Sequence, residues 1–319
     1  AANWNSAQTV TVTGVDDNII DGTVNSTVTV AVNDGSSDNN FDAVADQTVS
    51  AATTDNDVAG FTIVQSGGST SVSESGTTDT FTVVLNAQPA SNVVLSISSS
   101  DSGEATTTSL LTFTSGNWNT AQTVTVTGVN DNIIDGTINS TLTLAIVDAI
   151  TDDNFDSVAD QTVSVATTDD DVAGFTIAQS GGSTSVSESG STDTFTVVLN
   201  AQPNSDVVLS ITSGDTGEAT VTGTLTFTSG NWNSAQTVTV TGVDDNIIDG
   251  TVNSTVTVAV NDGSSDNNFD PVADQTVAIT TTDNDVAGFT ITQSDGSTSV
   301  AESGTTDTFT IVLNAQPNS

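Results

Sequence analysis

Lysine, arginine, histidine, cysteine, methionine and tyrosine are all missing from the 319 residues of this chain. Each absence closes a class of function. Without Lys or Arg, nothing neutralises a phosphate backbone or an anionic lipid surface, so nucleic-acid and anionic-membrane binding are excluded. Without Cys there are no disulfides and no reading of redox compartment. Without Lys there is no Lys–Asn isopeptide cross-link, which leaves a metal as the one staple available. Without His, Cys, Lys and Tyr, only carboxylate pairs of the glycosidase kind remain for catalysis, and the chain reads as a non-enzyme. No apolar run approaches the about 18 residues of a membrane span, and no signal peptide is visible.

What is present is acid. Forty Asp and Glu stand unopposed, for a formal charge of −40. Only five are glutamates, at Glu74, Glu104, Glu188, Glu218 and Glu302, and the other 35 are aspartates. Solvating acidic helices favour Glu, whereas Asp belongs in turns, caps and oxygen-ligand loops. Disorder is the ordinary consequence of such charge, but hydrophobic residues still make up 34% of the chain and fall into alternating runs.

Internal repetition organises those runs. Trp4, Trp118 and Trp232 are spaced by 114 residues, as are Phe61, Phe175 and Phe289. Residues 3–57 match 231–285 except at positions 43, 50, 51 and 52. An acidic tripeptide before each VAGFTI marks the joint. It divides the chain into a C-terminal half-repeat, 1–57, two complete repeats, 58–171 and 172–285, and the N-terminal part of a further repeat, 286–319. The expectation is a window on a longer array.

Inside each repeat the period is two. QTVTVT (8–13) points Val10 and Val12 inward, DTFTVVL (79–85) does so with Phe81, Val83 and Leu85, and STVTVAV (26–32) with Val28, Val30 and Val32. Such half-buried strands, separated by Gly, Asn, Asp and Ser turns, number about seven per repeat, with TSVSES running on into TFTVVLN. The fold class is therefore all-β, a tandem of immunoglobulin-like seven-stranded β-sandwiches.

Sandwich geometry then places the acids. Loops A–B, C–D and E–F share one end with the exit of strand G. In 58–171 that end receives Glu74, Asp101, Asn130, Asp131, Asp135, Asp169, Asp170 and Asp171; in 172–285 it receives Glu188, Asp215, Asp244, Asp245, Asp249, Asp283 and Asp285. At about 4 Å and an effective dielectric near 20, each like-charged pair costs roughly 4 kcal/mol, so the cluster calls for a cation. Many hard oxygen ligands describe Ca²⁺ better than Zn²⁺ or Mg²⁺. GVDDNIIDG (14–22) is no self-contained EF-hand, because Ile19 and Val28 fall where that loop needs ligands. At least one of its two isoleucines is expected to anchor the loop to the core.

With the SVSES turn around Glu74, the acidic C–D loop, the QTVTV strand running into Asp-Asp and the closing Asp triplet in place, each repeat resembles a Calx-beta domain. In that family these positions bind Ca²⁺. The resemblance extends the ligand set to Asp16, Asp17, Asp21, Asp55 and Asp57 of the half-repeat and to Glu302 of the last part-repeat. It also implies an extracellular or bacterial surface protein. Departures are present: Asp21, Asp135 and Asp249 stand where the family often has Glu, and Asn130, Asn56 and Asn284 replace acids found in sister repeats.

A second acidic loop, NDGSSDNNFD (261–270) and its counterparts, lies at the opposite end of the sandwich. Asp262, Asp266 and Asp270 either complete an interdomain cation site, form a separate surface site, or make a plain acidic loop. The Trp of each GNWN or ANWN segment, Trp4, Trp118 and Trp232, plugs that end more readily than it stacks on a sugar. NST at 25–27, 139–141 and 253–255 fits a glycosylation sequon that repetition copies for free. The expected role is an extracellular stalk or filament segment stiffened by calcium at its joints. Its partners are then calcium ions, adjacent repeats and other copies in a filament, with no membrane insertion in this segment. The alternative is an adhesin module that binds carbohydrate or another surface directly.

Overall fold

The computed structural model describes residues 3–317. It divides into two compact units, Ala1–Asp131 with Thr137–Asp169, and Asn132–Gly136 with Asp170–Ser319. Among the described residues there is no α-helix, only strands and single 3-10 turns.

The first unit begins with a hairpin of β1 (Val24–Val30) and β2 (Gln47–Thr53). A sandwich follows, built from β3 (Phe61–Gln65), β4 (Thr70–Ser73), β5 (Thr78–Leu85), β6 (Val93–Ser99), β7 (Ala105–Thr107), β8 (Leu110–Phe113), β9 (Gln122–Gly128), β10 (Thr137–Ile146) and β11 (Gln161–Thr168). One sheet runs β3-β5-β9-β7 and the other β4-β11-β10-β6-β8. The second unit repeats the plan with β12 (Phe175–Gln179), β13 (Thr184–Ser187), β14 (Thr192–Leu199), β15 (Val207–Ser213), β16 (Ala219–Val221), β17 (Thr224–Phe227), β18 (Gln236–Gly242), β19 (Val252–Val260) and β20 (Gln275–Thr282). A last hairpin joins β21 (Phe289–Gln293) to β22 (Phe309–Leu313).

Alternation produces the core as the sequence predicts. Phe195, Val197 and Leu199 of β14 meet Val238 and Val240 of β18, and Leu209, Val256, Val258, Val277 and Ile279 face them from the other sheet, all fully or almost fully buried. Each cluster stays inside one repeat, between Phe61 and Val165 in the first and between Phe175 and Ile279 in the second. Burying a side chain of this size stabilises the fold by about 1.5–3 kcal/mol.

Four sequence expectations are corrected. The sandwich has nine strand segments rather than seven. TSVS does not run on into the next strand; β13 leaves β12 at a Ser-Gly-Gly turn and pairs in parallel with β20 on the opposite sheet. Gly181 (φ 64) and Gly182 (φ 85) make that turn, in a backbone region that β-carbon sterics deny most residues. The short β7 and β16 lie inside the acidic C–D segment, which reads as pure loop. In the half-repeat, residues 8–13 form no strand, and Val10 and Val12 are exposed. Their counterparts in β9 and β18 pair with β5 and β14, and 1–57 contains no equivalent of those partners. For the same reason Val30 faces solvent and Val28 is only partly covered.

Candidate metal centre

The second repeat shows the acidic end of the sandwich within one unit. Glu188 sits just after β13, Glu218 just before β16, Asp245 and Asp249 on the loop after β18, and Asp283 and Asp285 after β20. One glycine permits the assembly. A Cβ on Gly242, the last residue of β18, would lie 2.1 Å from the Ser187 carbonyl oxygen, so only glycine lets the strand end reach the turn that carries Glu188.

Carboxylate oxygens of Glu188, Glu218 and Asp249 lie within 4.8 Å of one another, and so do those of Glu188, Asp283 and Asp285. Glu188 is common to both trios. Glu188 is 1% exposed and Glu218 7% exposed. Glu218 Oε2, Asp249 Oδ1 and Asp285 Oδ2 are buried atoms without a hydrogen-bond partner. Burial pushes the carboxyls of Glu188, Glu218 and Asp285 above their ordinary range, and neighbouring acids add to the effect. Buried unpaired carboxylates are costly, and the chain has no cation to relieve them. An all-oxygen donor set of this kind fits a hard divalent cation.

Asp283 of the second trio and the acids outside both trios also hold the loops. Asp283 accepts backbone N–H bonds from Gly250 (2.9 Å) and Asp285 (2.6 Å), which lower its pKa and tie the last strand's exit to the loop after β18. Asp245 accepts from the Ile247 N–H (2.6 Å). Asn284 donates its side-chain amide to Asp244 Oδ1 (3.0 Å) and its backbone N–H to Glu188 Oε2 (3.4 Å). Asp215 is exposed and accepts from the Gly217 N–H (3.0 Å), organising its own turn.

Elsewhere the same positions behave alike where a single unit holds them. In the half-repeat, Asp16, Asp17, Asp21, Asp55, Asn56 and Asp57 line one cleft. Asp55 accepts from the Asp57, Gly22 and Asp21 N–H groups (2.8, 2.9 and 3.0 Å), which hold its pKa low. Burial and then Asp55, Asp16, Asp17 and Asp21 raise that of Asp57. In the first unit Glu74 and Glu104 are buried, Asp131 and Asp169 are partly exposed, and Asp101 is exposed and caps the Gly103 N–H (2.9 Å). Asn130 turns its amide to the Asp131 carbonyl (2.7 Å). Asp135, Asp170 and Asp171 sort with the second unit. Glu302 is exposed in a turn and belongs to none of the acidic groups among the described residues.

Sequence reasoning missed Glu104 and Glu218. It chose Asp101 and Asp215, three residues earlier, which serve their turns. The signal lay in composition: in a chain of aspartates, each complete repeat contains only two glutamates, and both are buried.

The second acidic loop proves to be scaffolding around one aspartate. Asp266 is 6% exposed, and its carboxylate accepts from the Ser205 N–H (2.8 Å) and the Asn268 N–H (3.0 Å). Asp152 does the same with Ser91 (2.8 Å) and Asn154 (3.1 Å). Asp262 and Asp270 are exposed. Trp118 and Trp232 are half-buried against their cores, whereas Trp4 is exposed.

The isoleucines of the loop after strand E require a correction. They do anchor it to a core, but to that of the following repeat. Ile20 packs against the first cluster and Ile134 against the second, while Asn18 and Asn132 accept the backbone N–H of Gln88 (2.7 Å) and Gln202 (2.6 Å). Ile19, Ile133 and Ile247 each form a parallel bridge, to Gln88, Gln202 and Gln316.

No curated protein matches the chain. Among solved structures it is similar to CBD12 from CALX1.2, at 14% identity over 62% of this chain and 79% of that one, with a TM-score of 0.25. It is also similar to domains 4 and 5 of the S-layer protein SbsC, at 19% identity over 59% and 76%, with a TM-score of 0.28. The family model of the Calx-beta domain matches residues 54–172 and again 168–295, and the chain belongs to the Calx-beta domain family.

Proposed function

We propose that this chain is a segment of an extracellular stalk or filament, built of calcium-binding repeats spanning 58–171 and 172–285 and stiffened by calcium at their ends. One observation carries the reading: Glu188, Glu218 and Asp249 converge, two of them buried, with oxygens that nothing in a cation-free chain satisfies. Glu188, Glu218, Asp249, Asp283 and Asp285 would hold the metal in the second repeat, with Asp244 and Asp245 beside them. The shared Glu188 suits two adjacent ions. By repetition the ligands of the first repeat include Glu74, Glu104, Asp131 and Asp169, and those of the half-repeat Asp16, Asp17, Asp21, Asp55 and Asp57.

Linkage supplies the mechanism. Extracellular modules bind Ca²⁺ with dissociation constants of about 10⁻⁴ to 10⁻³ M. At roughly 100-fold excess over that constant, each site stabilises the ordered state by about 2.7 kcal/mol. Calcium outside a cell would fill such sites, whereas cytosolic calcium would leave them empty. The half-burial of Trp118 and Trp232 weighs against an adhesin that stacks sugars on them.

Small-angle scattering of the whole chain in millimolar calcium and in chelator tests the proposal. The maximum dimension and the persistence of the chain are expected to fall in chelator. An unchanged profile, together with no calcium uptake by calorimetry, rejects it.

A further inference from the structure

The second acidic loop has no part in the acidic groups found among the described residues. Its purpose follows from what Asp266 presents. By taking the Ser205 and Asn268 N–H groups, the buried carboxylate fixes Asn268 so that its side-chain amide donates to the carbonyl of Ile134 (3.1 Å). Asn204, just after Gln202-Pro203, donates to the same carbonyl (2.8 Å). Gln202 closes the contact by donating its backbone N–H to Asn132 (2.6 Å), and the Ile134 side chain lies on the core. All these residues fall in the second unit. The first unit repeats the arrangement with Asn18, Ile20, Gln88 and Asn154, where Asn154 donates to the Ile20 carbonyl (3.3 Å). In the half-repeat the equivalent Asn40 donates to its own Asp38 (2.9 Å) instead, and Phe41 is 58% exposed where Phe155 and Phe269 are fully buried.

We infer that the Gln-Pro turn and the Asp-x-Asn-Phe segment of each repeat form a receptor for the Asn-Ile-Ile tip of another copy of the same repeat, a head-to-tail clasp made of backbone and apolar contacts without metal. Because the tip sits between Asp245 and Asp249, or their counterparts, in the nine-residue loop, clasp closure and ion binding share one loop shape. If the loop binds calcium as proposed above, each event strengthens the other by the same factor.

The test uses the full chain, with hydrogen exchange at the Gln202 amide as readout and the amide of Val238, in the middle of β18, as control for the fold. The double variant Asn204→Ala/Asn268→Ala is expected to speed exchange at Gln202 about tenfold in chelator while Val238 stays protected. Calcium added to the wild-type chain should slow exchange at Gln202 further. Unchanged exchange at Gln202 in the variant overturns the clasp. Calcium uptake with no effect on Gln202 overturns the coupling alone. Faster exchange in the variant, in a chain that takes up no calcium, supports the clasp and rejects the calcium reading.

Discussion

The tips at Ile20 and at Ile134 differ in the side chains that reach their carbonyls. Ala90 stands in the first receptor where Asn204 stands in the second, so the Ile134 carbonyl accepts two amide N–H bonds and the Ile20 carbonyl accepts that of Asn154. The backbone bridge and the apolar packing are otherwise shared. The comparison separates what every repeat needs from what one repeat adds. Packing and the Gln N–H define the contact, and the second amide adjusts its strength.

Packing has the largest expected effect. Ile20→Ser and Ile134→Ser each remove a half-buried side chain and should weaken docking by about 1–2 kcal/mol. Exchange at Gln88 and Gln202 should rise by similar factors, and a marked inequality would show that the two contacts are not equivalent. The amides come next. Asn204→Ala should lower protection at Gln202 toward that of Gln88, by about 1 kcal/mol, and Ala90→Asn should raise protection at Gln88 by a few tenths. If neither substitution moves the two sites together, the Ala90/Asn204 difference is not the cause.

The smallest expected difference is between Asp79 and Asp193, which hold the kink of the first strand in the two repeats. Each takes a Ser hydroxyl and two backbone N–H groups, and these bonds lower its pKa from the usual 3.8. A depressed carboxylate contributes stability above its unfolded pKa and loses it as pH falls through the folded value. That loss therefore lies below pH 3.8, and carboxyl titration by NMR should give the two residues the same midpoint. Asp193→Asn should remove the acid-sensitive portion for its repeat alone.

Much of the architecture was legible because period-two burial writes itself into sequence. Phe81, Val83 and Leu85 are read correctly from alternation, and repetition locates the same strand again at Phe195, Val197 and Leu199. The loops that gather the acids were legible too, since sandwich connectivity fixes which loops share an end. What stayed hidden depended on side-chain reach and on neighbours. Asp215 and Glu218 are three residues apart, and the longer one goes into the cluster while the shorter caps its turn. The Ser-Gly-Gly break is visible, but not that the chain crosses to the other sheet there. The isoleucine pair reads as an internal anchor, because periodicity carries no information about which copy supplies the pocket.

The clasp occupies three short segments, each carried within a single repeat. A repeat therefore brings both its own tip and its own receptor wherever it is inserted. Duplicating or deleting a whole repeat in the gene leaves every remaining junction with a matching pair, and no new interface has to be invented. Length becomes a quantity that can be adjusted freely, while insertions that are not whole repeats would leave a tip facing the wrong surface.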